Sequence, residues 1–318
     1  MRKVLITGIA GFAGSHLAER LAGRCEVWGL HIDSNFSNLE GIKGLNLVEC
    51  DMTDYGKLSS VVEKLKPHSV YHLAGQSLPS LSFKHPGETL RTNIFSTLNL
   101  FEAIAAFSPQ TVVLNIGSAD EYGEVEEADL PVGEKTELRP LNPYAVSKVT
   151  QDLLAFQYSK SKGLKIVRAR PFNHIGQRQA PTFVASEFAK RIAEIESGAT
   201  DDDVLTVGNL DIAKDFLDVR DVVAAYELLV EKGASGEVYN ICSGRAYKIG
   251  DIAARLTSLS TRKIKIIEDS SRRRPTDTLA IYGDNLKIRS LGWAPTRGLD
   301  ETLKDLLDYW RARVGGRS

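Results

Sequence analysis

A short apolar strand, three evenly spaced glycines and a helix constrain the fold of this chain more than any other feature. Residues 4–7, Val-Leu-Ile-Thr, form an apolar, β-branched run that predicts a buried strand, and residues 15–21 have helical spacing. Gly8, Gly11 and Gly14 lie between these two elements. Strand, glycine turn and helix in this order are typical of a dinucleotide-binding loop.

Each glycine in this loop has a predicted role. Gly8 permits the tight turn, Gly11 allows the backbone to approach a pyrophosphate, and Gly14 allows the helix to pack on the strand. Phe12 and Ala13 complete the cofactor contacts predicted for the loop. The spacing is Gly-x-x-Gly-x-x-Gly rather than the commoner Gly-x-Gly-x-x-Gly, so a helix start that merely contains glycines is the alternative.

The end of the second predicted strand, residues 26–30, bears on the choice of coenzyme. An acid about 20 residues past the glycines usually binds the ribose 2′-hydroxyl of NAD, and a nearby arginine binds the 2′-phosphate of NADP. Asp33 is the only acid in reach, and no arginine directly follows it. This pattern favours NAD, with a loop-starting role for Asp33 as the alternative.

The third predicted strand, residues 46–49, is followed by two further candidates for cofactor binding. Asp51 is placed to accept a hydrogen bond from an adenine amino group, and Met52 to cover the adenine ring. Alternatively, Thr53 or Asp54 simply caps the helix that runs through residue 65.

The fourth predicted strand, residues 69–73, ends at Leu73 and is followed by small residues. Leu73, Ala74 and Gly75 are predicted to let a cofactor lie against the backbone. Asn93 lies in the next predicted helix, residues 88–107, and is polar within an apolar pattern. We interpret Asn93 as either a buried structural amide or a cofactor-site residue.

Tyr144 and Lys148 are four residues apart in a predicted helix that begins after Pro143. Positions i and i+4 share one helix face, so the phenol and the ammonium group point into one space. A lysine cation favours the phenolate, and we therefore predict that Lys148 lowers the pKa of Tyr144 into a range useful for acid–base catalysis. The alternative is an exposed pair that shares a helix face by accident.

The fifth predicted strand, residues 111–116, ends just before Ser118 and Asp120. In an open parallel sheet, ligands bind beyond the carboxyl ends of the strands. The sequence therefore places Ser118 and Asp120 in the same candidate site as Tyr144 and Lys148. Without the neighbouring Tyr144 and Lys148, Ser118 and Asp120 would each be interpreted as an ordinary turn residue.

Alternating strands and helices predict an α/β fold with a doubly wound, Rossmann-type parallel sheet and a smaller mixed α/β lobe. We expect residues 1–170 with about 218–242 to form the NAD(P)-binding domain. Residues of about 171–217 and 243–318 are expected to form a substrate-binding lobe on the C-terminal side.

Composition excludes several other classes of protein. The formal net charge is −1 in 318 residues, so no nucleic-acid-binding surface is expected. Three scattered cysteines form no metal or disulfide pattern and fit a reducing cytoplasm. We expect no signal peptide, because Met1 runs directly into a strand, and no membrane span, because no apolar run approaches about 20 residues.

Taken in order, the glycine loop, Ser118 and Tyr144-x-x-x-Lys148 resemble the extended short-chain dehydrogenase/reductases that modify nucleotide sugars. The segments 170–174, 208–216 and 274–277 look like the branch of this family that acts on GDP-mannose derivatives. The resemblance implies NAD(P)H-dependent reduction of the C4 ketone of GDP-4-keto-6-deoxy-D-mannose to GDP-D-rhamnose or its C4 epimer. The alternative is a 4,6-dehydratase or an epimerase with tightly bound cofactor.

The resemblance also implies roles for the candidate residues. Tyr144 protonates the C4 oxygen, Ser118 hydrogen-bonds it, and Lys148 holds the nicotinamide ribose. Dehydratases of the family carry a glutamate where this chain has Asp120, which is one methylene shorter. The position before it, often an acid or hydroxyl in dehydratases, is Ala119, so the pattern favours a reductase.

A nucleoside diphosphate also needs donors and cations from the second half of the chain. The resemblance points to five substrate-binding residues: Asn173, Lys190, Lys214, Arg274 and Asp277. It further implies a homodimer in which the helix of residues 88–107 and the helix that carries Tyr144 pair with their copies.

Overall fold

The computed structural model of the protein describes residues 1–200, 202–272 and 280–315. Numbered in chain order, its strands are β1 (Lys3–Thr7), β2 (Glu26–His31), β3 (Leu45–Glu49), β4 (Ser69–His72), β5 (Val112–Ile116), β6 (Lys165–Pro171), β7 (Asn173–Ile175), β8 (Val204–Val207), β9 (Ala213–Lys214), β10 (Phe216–Asp218), β11 (Val238–Ile241), β12 (Tyr247–Lys248), β13 (Lys265–Glu268) and β14 (Ala280–Ile281). The α-helices are α1 (Phe12–Leu21), α2 (Tyr55–Leu65), α3 (Pro79–Lys84), α4 (Pro86–Phe107), α5 (Pro143–Ser161), α6 (Val184–Glu196), α7 (Val219–Lys232), α8 (Ile249–Ser258), α9 (Leu286–Arg289) and α10 (Leu299–Gly315).

The main sheet, as far as the described residues show it, contains seven strands in the order β11-β6-β5-β4-β1-β2-β3. All neighbouring strands pair in parallel. The chain builds outward from β1 to β3, then returns to place β4 on the other side of β1. This topology confirms the predicted doubly wound fold. Strand β11, from the second half of the chain, forms one edge of this sheet beside β6.

Two apolar layers cover the faces of the main sheet. Successive residues of a strand point to opposite faces, and Leu5 and Ile6 of β1 accordingly belong to different layers. Leu17 and Tyr226, from α1 and α7, pack in the layer of Ile6. Phe101 of α4 packs in the layer of Leu5. Helices on both faces explain why the central strands are almost wholly apolar.

A third apolar cluster lies in the second half of the chain. It joins α6, α8 and α10 through side chains such as Phe188, Ile252 and Leu306. Small sheets pair β7 with β10, β8 with β13, and β9 with β12 and β14. Because β7 follows directly after β6, this part of the molecule begins at the carboxyl end of the main sheet. No helix in the described part of the chain is both long and apolar enough to cross a membrane.

The helix boundaries differ from prediction where prolines mark helix starts. The predicted helix at residues 88–107 begins earlier, at Pro86, and a separate short helix starts at Pro79. Each proline occupies a first-turn position, where its missing N–H leaves no hydrogen bond unmade.

The tight contact between α1 and the glycine loop gives a prediction about stability. A Cβ atom at Gly14 would overlap with the carbonyl oxygen of Gly8. We expect Gly14→Ala to lower the free energy of unfolding by about 1–3 kcal/mol, because the backbone must shift.

Gly56, a helical glycine in α2, provides the matched control. A Cβ atom there would meet its nearest neighbour at 3.4 Å, which is ordinary contact. Gly56→Ala is expected to be neutral or to stabilise by up to about 1 kcal/mol. Urea denaturation of both variants measures the difference, and equal effects at the two positions would contradict the packing role of Gly14.

Candidate active site

Ser118 lies just beyond the carboxyl end of β5, where it begins the 3₁₀ turn Ala119–Glu121. Its hydroxyl oxygen accepts the N–H of Asp120 at 3.1 Å, and its own N–H donates to Glu121 Oε1 at 2.8 Å. Because the turn uses the hydroxyl only as an acceptor, the Ser118 proton is available to donate to another oxygen. The turn thus fixes the direction in which Ser118 presents its hydroxyl.

Tyr144 and Lys148 reach the same place from the first turns of α5. Asn142 caps this helix by accepting the N–H of Ala145 at 2.8 Å. Tyr144 is 8% exposed and Lys148 is 6% exposed. Lys148 Nζ donates to the carbonyl oxygen of Ile116, the last residue of β5, at 2.9 Å. The same nitrogen lies 5.9 Å from the centre of the Tyr144 ring. The structure therefore brings Ser118, Tyr144 and Lys148 together at the end of β5.

The acidity of Tyr144 differs from the prediction. Burial raises the pKa of Tyr144, the carboxylates of Asp120 and Glu121 raise it further, and only the side chain of Ser118 lowers it. Burial also lowers the pKa of Lys148, to about 8. The predicted lowering of the Tyr144 pKa into a range useful for acid–base catalysis is therefore wrong in this structure, because desolvation of the phenol raises that pKa. Tyr144 keeps its proton at neutral pH and is suited to donate it.

The glycine loop fits a dinucleotide diphosphate. Gly8 has a φ of +69°, which favours glycine, and a Cβ atom there would lie 3.0 Å from the backbone of Ala74. Gly11 is the N-terminal cap of α1, and no side chain caps the helix. The first N–H groups of α1, from Phe12 and Ala13 onward, are thus left for an anion. A phosphate would occupy the space that a side-chain cap would otherwise fill.

The segment after β4 is fixed by hydrogen bonds to its neighbours. Ala74 N–H donates to Thr7 Oγ1 at 3.0 Å. Asn93 Oδ1 accepts the N–H of Gln76 at 2.7 Å, and its Nδ2 donates to Gln76 O at 3.1 Å and to Ser147 Oγ at 2.8 Å. These contacts match the buried structural amide among the two interpretations of Asn93. Direct contact of Asn93, Leu73, Ala74 or Gly75 with a cofactor remains a prediction.

The predicted adenosine contacts are engaged in local turns. Asp33 is exposed and its Oδ1 accepts the N–H of Asn35 at 3.1 Å. Asp51 Oδ1 accepts both the N–H and the hydroxyl of Thr53, each at 2.8 Å, which lowers the pKa of Asp51. Met52 is 4% exposed and packs in the apolar layer. The cap of α2 is Asp54, which accepts the N–H of Lys57. Cofactor binding by Asp33, Asp51 and Met52 stays a prediction.

Three of the predicted substrate-binding residues lie in the described part of the chain, each in a different element. Asn173 is exposed in β7, and Lys214 lies in β9. Lys190 pairs with Glu194 at 3.4 Å and lies 5.9 Å from the Trp310 ring, between α6 and α10. Arg274 and Asp277 lie outside the described residues. Their roles remain predictions.

Three buried charged residues escaped the sequence analysis. Arg170, at the end of β6, donates from Nε to Glu121 Oε2 at 2.9 Å and from Nη2 to Asp152 Oδ2 at 2.8 Å. Their side chains are at most 4% exposed. The sequence signal that could have revealed these residues is the pair of arginines inside an otherwise apolar strand, because charged residues in a central strand require buried partners.

Comparison with known proteins identifies the family. The family model for GDP-mannose 4,6 dehydratase matches residues 5–306. The chain belongs to this family. The predicted resemblance to extended short-chain dehydrogenase/reductases that modify nucleotide sugars is thereby confirmed.

Several similar proteins have been named or solved. GDP-6-deoxy-D-mannose reductase of Pseudomonas aeruginosa is 35% identical over 314 residues, with 98% of each chain covered. The structure of RMD from Pseudomonas aeruginosa complexed with NADPH has 33% identity and a TM-score of 0.86, covering 98% of this chain and 100% of that chain. UDP-glucose 4-epimerase of Thermus thermophilus in complex with NAD has 26% identity and a TM-score of 0.87, covering 97% and 99%.

The buried Lys148 predicts a pH dependence of stability. Its pKa of about 8 in the folded protein lies below the ordinary lysine value of 10.5. Between these values the unfolded chain binds more protons, so stability rises with pH across this window. We expect the free energy of unfolding of the wild type, minus that of Lys148→Met, to rise by about 2–3 kcal/mol from about pH 7.5 to about pH 10.5.

Denaturant titrations across this pH range measure the effect. Lys64 is exposed, and the same difference taken with Lys64→Met serves as the control that should stay flat. A flat difference for Lys148→Met as well would contradict the desolvation of Lys148.

Proposed function

We propose that this protein reduces the C4 ketone of GDP-4-keto-6-deoxy-D-mannose with NAD(P)H, giving GDP-D-rhamnose or its C4 epimer. One observation carries the proposal. A buried phenol keeps its proton beside a serine hydroxyl, in a chain that is 35% identical along its length to a GDP-6-deoxy-D-mannose reductase. A reductase needs a proton donor at the ketone oxygen, and Tyr144 meets that need.

The proposed cofactor is NADPH or NADH, which supplies a hydride when bound. The N–H groups at the start of α1 would hold its diphosphate, and Lys148 would hold its nicotinamide ribose. Asp33 favours NADH, because its carboxylate would repel a 2′-phosphate. The relative RMD was solved with NADPH, which supports the phosphorylated form. Both NADH and NADPH are therefore used to test the proposed activity.

Residues of this chain supply the proton and stabilise the negative charge that develops on the C4 oxygen. Ser118 donates a hydrogen bond to the C4 oxygen and orients the ketone. As hydride adds to the carbon, negative charge develops on that oxygen, and Tyr144 transfers its phenolic proton to it. The Lys148 cation, 5.9 Å from the Tyr144 ring, favours the phenolate as it forms. A proton from solvent then restores the phenol.

A GDP-mannose 4,6-dehydratase is the second candidate, favoured by the description of the family model. Dehydration needs a base for the C5 proton and an acid for the leaving 6-hydroxyl. Asp120 is the only carboxylate at the expected position, and Ala119 beside it carries no proton donor. The reductase accounts for this pair better.

Cofactor binding and substrate binding are assigned to different parts of the fold. Residues 1–170 with about 218–242 would bind the cofactor, and residues of about 171–217 and 243–318 the nucleotide sugar. Support comes from the third apolar cluster, which gives the second half of the chain a core of its own. We also infer a cytoplasmic location, since the three cysteines are free.

A homodimer is part of the proposal. Helices α4 and α5 pack side by side and leave apolar side chains exposed on their outer faces. Phe95 is 51% exposed, Leu153 is 56% exposed and Phe156 is 41% exposed. Contact with the same two helices of a second copy would bury these side chains in a four-helix bundle.

The dimer proposal predicts the effect of a charge at its centre. We expect Leu153→Glu to shift the protein from dimer to monomer, because a carboxylate would be buried between apolar faces without a partner. Light scattering after size-exclusion chromatography measures the mass. Leu286 in α9, which is 69% exposed, provides the control, and Leu286→Glu should remain dimeric. A monomeric wild type would contradict the proposal.

The proposed activity is tested with the purified keto-sugar and NADH or NADPH. We expect the wild type to oxidise the reduced cofactor, and Tyr144→Phe to lower kcat by about 10²- to 10⁴-fold because the proton donor is lost. Tyr71 is equally buried in β4, and Tyr71→Phe should keep near-wild-type kcat.

Two outcomes would count against the reductase. One is a wild type that oxidises neither cofactor. The other is product formed from GDP-mannose without added reductant, which would favour the dehydratase.

A further inference from the structure

We propose that Glu121, Arg170 and Asp152 form a positioning unit that sets the separation of Ser118 from the helix carrying Tyr144 and Lys148. The inference rests on the proposed reductase function and adds to it three residues that touch neither the ketone nor the hydride donor. They act through Ser118 and Tyr144.

Glu121 controls the Ser118 turn directly. Its Oε1 accepts the N–H of Ser118 at 2.8 Å, and its Oε2 accepts Nε–H of Arg170 at 2.9 Å. Both oxygens therefore act as acceptors, as they do in a carboxylate. The side chain is fully buried, so no water competes for these two hydrogen bonds. The orientation of the Ser118 peptide is thus tied to the position of the Arg170 guanidinium.

Asp152 ties the same guanidinium to the catalytic helix. Tyr144, Lys148 and Asp152 follow one another at intervals of four in α5, which places all three on one helix face. Arg170 Nη2 donates to Asp152 Oδ2 at 2.8 Å, and Arg168 Nη1 donates to the same oxygen at 2.8 Å. One planar guanidinium therefore spans the turn after β5 and the helix α5. Because the guanidinium is planar and its N–H groups point in fixed directions, it fixes the distance between this turn and α5 more rigidly than a lysine ammonium group would.

The end of β5 is shaped to admit this carboxylate. A Cβ atom at Gly117 would overlap with Glu121 Oε1, so only glycine leaves room for it. The neighbouring backbone groups are held as well. Gly117 N–H donates to Ala169 O at 2.7 Å, and Ile116 O accepts from Lys148 at 2.9 Å. Ile116, Gly117 and Ser118 are thus held in turn by α5, β6 and Glu121.

The unit also places charge near the catalytic phenol. Tyr144 is faced by Asp120 and Glu121 from the turn after β5, by Lys148 from its own helix and by Tyr226 from α7. Burial and the neighbouring Asp152 raise the pKa of Glu121, while Arg170, the Ser118 N–H and Lys148 lower it. In the carboxylate form that its two accepting oxygens indicate, Glu121 raises the pKa of Tyr144. Burial lowers the pKa of Arg170, but Glu121 and Asp152 raise it more, so the guanidinium remains charged. Loss of the Glu121 charge would therefore make Tyr144 more acidic.

Glu121→Gln tests the unit with little change of shape. The amide oxygen still accepts from Ser118, but the pairing with Arg170 is lost. We expect kcat to fall about 10- to 100-fold, while KM for the nucleotide sugar changes less than about threefold, because orientation rather than binding is impaired. We also expect the alkaline limb of the kcat–pH profile, which we assign to Lys148 with its pKa of about 8, to move to lower pH, because the Glu121 charge raises that pKa. Steady-state kinetics from about pH 6 to about pH 10 measures both effects.

Asp221→Asn is the matched control. Asp221 is a buried carboxylate in α7 that accepts the N–H groups of Thr296 and Arg297, each at 2.9 Å. Loss of the Asp221 carboxylate should lower the melting temperature but leave kcat and the kcat–pH profile unchanged. If Glu121→Gln lowers stability in the same way and leaves both kinetic readouts unchanged, the inference is overturned and the network is a structural ion pair only.

A double variant covers the case in which the single variant fails to fold. Glu121→Leu with Arg170→Met replaces both charges by apolar side chains of similar size, and buried Asp152 keeps its pairing with Arg168, so no charge of the unit is left without a partner. We expect a folded protein, shown by circular dichroism, with kcat reduced at least 10-fold. Wild-type kcat in this variant would overturn the inference. A wild type without turnover would instead contradict the proposed function, so the two failures are distinguishable.

Discussion

Pairing of buried charges at the carboxyl end of β5 is the constraint on which the catalytic arrangement depends. Lys148, Glu121, Asp152 and Arg170 are each less than a tenth exposed. A buried charge is costly unless it is paired and hydrogen-bonded. Glu121 and Asp152 pair with Arg170, and Lys148 donates to the carbonyl oxygen of Ile116; these groups come from β5, β6, α5 and the turn after β5. The catalytic groups are therefore located by electrostatic pairing across elements and not by apolar packing alone.

The burial of Tyr144 also bears on whether the site favours reduction of a ketone or oxidation of an alcohol. A phenol in a desolvated site, next to the Asp120 carboxylate, retains its proton. Reduction of a ketone consumes a proton at the oxygen, so a protonated Tyr144 is the form required at the start. Oxidation of an alcohol would require the phenolate first. Burial, which contradicts the predicted acidity of Tyr144, thus agrees with the predicted direction of the reaction.

Local patterns predicted what depends on local structure. The glycine loop, the strands that follow one another in the sheet and the Tyr144–Lys148 face of α5 all follow from short-range periodicity and turn chemistry. The pair of Glu121 and Arg170 is separated by 49 residues and exists only because β5 and β6 are neighbours. Asp33 and Asp51 each accept a hydrogen bond from a residue two positions along, and their predicted contacts with a cofactor are not determined by this local structure.

Ala119 and Asp120 illustrate how one turn can limit a family's chemistry. Ala119 is 5% exposed and packs with Tyr122 and Phe172, so its place is filled by apolar contacts and not by a proton donor. Asp120 raises the pKa of Tyr144 and so helps to retain the proton that reduction uses. A carboxylate that removed a C5 proton would lose this charge during the reaction. In the proposed reduction, the position that the resemblance assigns to a dehydratase's base would therefore support the acid instead.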